Sequence, residues 1–81
     1  MQQEDITKLL AAAILELRPS LEGRPLGPSD SLEALGLDSM ERADIVMLVL
    51  EHMNLRIPLV QTFGPRNIGE LARLLSEKSA A

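Results

Sequence analysis

The chain has 81 residues, 12 acidic and eight basic, with a formal net charge of −4, and this length allows one small domain. It contains no cysteine, which excludes disulfides and thiolate metal sites from any account of its core. A single aromatic residue, Phe63, together with the excess of acid, argues against nucleic acid, which is bound through stacking surfaces and phosphate-neutralising cations; a basic protein partner suits such a surface better.

The opening Met1-Gln2-Gln3-Glu4-Asp5 is polar and acidic and does not read as an export signal. No apolar run approaches the roughly 20 residues of a membrane span. The expectation is a cytoplasmic protein without a membrane partner. Ile6, Leu9, Leu10, Ala13, Ile14 and Leu17 follow helical spacing and make one apolar stripe. Glu4 and Asp5 suit the positive end of that helix, and Pro19 stops it, because the residue before a proline is driven from helical geometry. A long connection follows, roughly from Arg18 to Asp38, punctuated by Pro19, Gly23, Pro25, Gly27 and Pro28. Leu21, Leu26, Leu32, Leu35 and Leu37 should pin it to a core. Asp30 or Ser31 is expected to cap a short turn through Leu35 that Gly36 ends.

The second helix is expected from about Ser39 to Met53. Asp38 is its N-cap, with Glu41 three residues on in a capping-box arrangement, and Asn54 is its stop. Ile45 to Leu50 is apolar throughout, too much for one buried face, so some of these side chains should be exposed. Ile57-Pro58 reads as an extended dipeptide. Leu59 to Phe63 is expected as a short third helix, closed by Gly64-Pro65. The last helix begins after Asn67, with Glu70 again three residues on, and buries Ile68, Leu71, Ala72 and Leu75. Nothing alternates like a strand. The fold class is therefore all-α: one domain over residues 1–81, a small four-helix bundle of three longer helices and one short one, with a long first loop.

Catalytic constellations are scarce. Without cysteine a Cys–His pair is impossible, and a Ser–His pair would have to use the one histidine, His52. Ser39 and His52 on one helix lie about 20 Å apart at roughly 1.5 Å per residue, far beyond the hydrogen-bond reach of about 3 Å that a dyad needs. There is no His-Glu-x-x-His motif, phosphate-binding glycine loop or dinucleotide fingerprint. The chain is expected to be neither an enzyme nor a metal protein. What stands out instead is Leu35-Gly36-Leu37-Asp38-Ser39-Met40, which lifts a hydroxyl onto the first turn of a helix. The free N–H groups and positive end of such a turn favour an anion.

Leu37-Asp38-Ser39-Met40 resembles the Asp-Ser-Leu signature of acyl and peptidyl carrier proteins. Ser31-Leu32 with Leu35-Gly36 is similar to that family's lead-in. Ile57-Pro58 stands where the family has an Ile-Pro, and Asn67-Ile68 with Leu71 resembles the start of its last helix. The resemblance spans nearly the whole chain. It implies that a phosphopantetheinyl transferase attaches 4'-phosphopantetheine from coenzyme A to Ser39, beside Asp38, and that acyl groups then ride on the arm as thioesters. It also implies docking through the second helix, where Met40, Asp44, Met47 and Glu51 share one side and Glu41 adds charge near the arm. Arg42, Leu50 and His52 within this helix, and Arg56 after it, depart from the family's more acidic pattern, so docking should lean on apolar contact.

The wording Arg42-Ala43-Asp44, with Phe63-Gly64 and Asn67-Ile68-Gly69-Glu70-Leu71, resembles discrete donor carriers of polyketide β-branching cassettes. These bring acetyl or a similar short acyl group to a hydroxymethylglutaryl (HMG) synthase-like enzyme. Partners would then be that synthase, a ketosynthase or an acyltransferase, with the carrier itself a monomer. The alternative is an unmodified helical interaction module that docks through the second helix.

Overall fold

The apolar stripe of the first segment winds as α1, Gln3–Leu17, in a computed structural model that describes residues 2–80. Ile6, Leu10 and Ile14 are fully buried along it. The helix closes at Arg18, whose N–H still donates to the Ile14 carbonyl at 2.8 Å, just before Pro19 removes the next donor. A 3₁₀ turn, Pro19–Leu21, follows at once and was not expected from the sequence.

Helix α2 runs Ser39–Met53, the bounds its capping residues announce. Asn54 ends it in the left-handed region at φ 53°, a conformation asparagine tolerates better than most residues. A four-residue 3₁₀ turn, Leu59–Thr62, stands where a short helix to Phe63 was expected. Helix α3 runs Ile68–Ala80. Asn67 caps it, its Oδ1 accepting from the Glu70 N–H at 2.7 Å, while Glu70 Oε1 accepts from the Arg66 N–H at 3.2 Å. The expected all-α class and helix order hold, with both short elements wound as 3₁₀ turns.

Helix α1 packs against both α2 and α3. Ile45 and Val49 from α2 and Ile68, Leu71 and Leu75 from α3 close the core around it. Leu32, Leu35 and Leu37 of the long connection are buried too, so that segment forms one wall of the bundle. Its backbone is tied to the start of α3. Leu32 N–H donates to the Arg66 carbonyl at 3.0 Å, Ile68 N–H to Asp30 at 3.1 Å and Gly69 N–H to Pro28 at 2.8 Å. The pairing makes an isolated antiparallel bridge between Ser31 and Asn67. Asp30 does not cap the turn through Leu35; its Oδ2 accepts from the Gly27 N–H at 2.6 Å, and Ser31 Oγ takes the Ala34 N–H at 3.3 Å.

Candidate functional site

Gly36, at φ 81°, turns the chain into α2 in a conformation that a side chain would strain. Leu37 is buried immediately after it and anchors the turn in the core. Asp38 is the N-cap: its Oδ1 accepts from the Glu41 N–H at 2.8 Å, and Glu41 Oε1 accepts from the Asp38 N–H at 3.3 Å. This reciprocal capping box fixes the first turn and points Ser39 away from the core.

Ser39 and Met40 are both exposed. Among the described residues the Ser39 hydroxyl makes no hydrogen bond, and neither the Ser39 nor the Met40 N–H donates to a protein acceptor. The positive end of α2 therefore faces solvent beside a free hydroxyl, and these residues fit a phosphoryl group on that oxygen.

A second fixture comes from outside the motif. Arg18, at the end of α1, reaches across with Nε 2.5 Å from Glu41 Oε2 and Nη2 2.6 Å from Glu41 Oε1. The same Nη2 donates to the Gly36 carbonyl at 2.9 Å. One guanidinium thus clamps both the turn and the first turn of the helix, in the two-pronged geometry that arginine makes with a carboxylate. The Arg18 hydrogen bonds hold the Glu41 carboxyl well below the usual carboxylate range, at about 2, against partial desolvation and with help from the Asp38 N–H.

Next to Ser39 opens a cavity of about 250 Å³ between α2, the second 3₁₀ turn and α3. Leu32, Val46 and Leu71 give it an apolar floor, and Arg42, Phe63 and Pro65 stand at its walls. Thr62, also in the lining, is buried and spends its hydroxyl on the Leu59 carbonyl at 2.6 Å.

The expected docking side of α2 is exposed at Met40, Asp44, Met47 and Glu51. Met40 is 78% and Met47 50% exposed, so neither is core packing. Glu41 is the exception: it is half-buried and its carboxylate is committed to Arg18, so it does not extend that face as a free charge. Val60 and Phe63 on and beside the second 3₁₀ turn are also exposed and were not anticipated. The isolation of Phe63 as the one aromatic was the available signal for it; Arg18 gave none, since its partner lies 23 residues on.

Ser39 and His52 sit near opposite ends of α2, both exposed, so the distance argument against a dyad stands. Among the described residues no acidic or histidine cluster could hold a metal, and no helix is long and apolar enough to cross a membrane.

Comparison with known proteins is consistent with this geometry. The family model for a phosphopantetheine attachment site matches residues 7–75. The chain is 42% identical over 78 residues to the polyketide biosynthesis acyl-carrier-protein AcpK of Bacillus subtilis (strain 168), across 96% of this chain and 95% of that one. It also matches a chain in the crystal structure of the curacin biosynthetic pathway HMG synthase in complex with acetyl donor-ACP. There the identity is 45% and the TM-score 0.92, over 96% of this chain and all of the other.

Proposed function

The chain belongs to the phosphopantetheine attachment-site family, and on that premise we propose that Ser39 is the residue that carries the arm. The protein is an acyl carrier of the polyketide type, not a catalyst, and its cofactor is 4'-phosphopantetheine. That group supplies a terminal thiol on which acyl groups travel as thioesters. What the chain itself does is hold one hydroxyl in reach of other enzymes. Asp38 and Glu41 cap the helix beneath Ser39, Arg18 locks the turn before it, and Gly36 makes that turn possible.

The observation that carries the assignment is the unbonded, exposed Ser39 hydroxyl at the positive end of a doubly fixed helix. Incubation with coenzyme A and a broad-specificity phosphopantetheinyl transferase should add one phosphopantetheine mass to the intact chain. Ser39→Ala should abolish the gain; a gain that persists in this variant would refute the assignment. The family match favours this carrier over an unmodified interaction module.

The finer reading is a donor of acetyl, or another short acyl group, to an HMG synthase-like enzyme of β-branching. Its support is the likeness to a chain from a complex of that kind and the exposed apolar side chains Met40 and Met47, which suit a docking face less dependent on charge. The carrier would work as a monomer in the cytoplasm. Acetyl- and malonyl-loaded protein can be offered in parallel to such a synthase and to a ketosynthase. Preferential consumption of the acetyl form by the synthase is expected; preference for the ketosynthase would remove the donor assignment.

A further inference from the structure

Arg42 is the charged group of the site for which the carrier reading so far has no use. It lies three residues after Ser39 on the same helix, and such pairs are neighbours on a helix surface, with Cβ atoms about 5–6 Å apart. Both side chains line the same cavity. Arg42 is half-buried, yet among the described residues its side chain makes no ion pair and no hydrogen bond.

That position is unfavourable for a lone cation. It is near the positive end of α2, where the helix dipole opposes positive charge, and its stem is partly withdrawn from water. The two acids that begin this helix have other partners. Asp38, four residues before it, accepts from the Glu41 N–H through Oδ1, and Glu41 is held by Arg18. Among the described residues no acid forms an ion pair with Arg42, while the helix end itself invites an anion.

We propose that Arg42 binds the phosphodiester created by modification of Ser39, gripping the root of the arm at the mouth of the cavity between α2, the second 3₁₀ turn and α3. The inference rests on Ser39 being the attachment residue. A phosphodiester brings one negative charge and two free oxygens. The guanidinium offers a planar fork of donors that matches them, and the unpaired Ser39 and Met40 N–H groups stand on the same helix end. The contact offsets the dipole penalty on Arg42 and restricts the directions in which the arm leaves the protein.

The test compares apo and holo forms of the wild type, Arg42→Gln, Arg42→Lys and, as a distant charge control, Arg56→Gln, each checked for modification by intact mass. In the holo proteins the phosphorus NMR resonance should shift in Arg42→Gln, shift less in Arg42→Lys, and stay put in Arg56→Gln. The melting difference between holo and apo should shrink in Arg42→Gln, because the phosphate there loses its partner. This difference cancels any purely structural loss that the substitution causes in both forms. A phosphorus resonance unmoved in Arg42→Gln overturns the contact while leaving the attachment residue intact. A wild type that takes no arm overturns both.

Discussion

Three side chains, two close to Ser39 in sequence and one distant, set its pose. The Asp38–Glu41 capping box is local, whereas the Arg18 clamp joins the end of α1 to the start of α2. Because Glu41 titrates at about 2 in the folded chain, below an ordinary carboxylate, its share of the clamp is subject to acid. A depressed folded-state pKa means stabilisation that is complete above the unfolded value and fades as the pH falls towards the folded one. The stability gap between the wild type and Glu41→Gln should therefore be widest at neutral pH. It should narrow as the pH drops from the usual carboxylate range towards about 2. Chemical denaturation at several pH values would read this, and a gap that widens on acidification would contradict the clamp. Arg18→Ala should in addition slow arm transfer to Ser39, since it frees the Gly36 carbonyl and the Glu41 carboxylate together.

Helix α2 carries two jobs on two faces. Ile45, Val46, Val49 and Leu50 are buried, while Met47, inside the same apolar run, is half exposed. An exposed large apolar side chain in line with Met40 and with the acids Asp44 and Glu51 suits contact with another protein. Methionine adapts well to such a surface. Met47→Glu is expected to weaken binding to a biosynthetic enzyme partner. Its effect on folding should remain within about 0.5 kcal/mol, as for most surface changes, and a large fall in melting temperature would instead place Met47 in the core. Composition told that this helix had more apolar side chains than one face could bury. It did not tell which of them would be left out, because that depends on where α1 and α3 lie.

For the molecule as a whole, the long connection is held by its backbone as well as its leucines. It pairs with the start of α3 through three hydrogen bonds around the Ser31–Asn67 bridge. The tightest point of this seam is Gly69. A Cβ there would lie 2.9 Å from both the Cβ and the carbonyl oxygen of Pro28, so the backbone would have to move. Gly69→Ala should therefore destabilise the fold by about 1–3 kcal/mol, as overpacking does. In a domain of this size each kcal/mol lowers the melting temperature by roughly 4–8 °C. Thermal unfolding of the apo protein measures it directly, and an unchanged melting temperature would show that the seam gives way without cost.

The amino-acid sequence determined the elements whose causes are local. The spacing of Ile6, Leu10 and Ile14 defines α1, Asp38 and Glu41 begin α2, Asn54 ends it, and Asn67 with Glu70 begins α3. The same short-range grammar put Ser39 on a helix's first turn, which is why Ser39 stood out as the candidate before any coordinates. Only the tertiary structure decided what depends on separate segments meeting. It brought Arg18 to Glu41 and Gly36, laid the loop backbone against α3 at Gly69, turned Met47 outward, and opened the cavity that Ser39 and Arg42 share. Those contacts join residues far apart in the chain, and periodicity or capping patterns, which act over a turn or two of helix, carry no information about such distances.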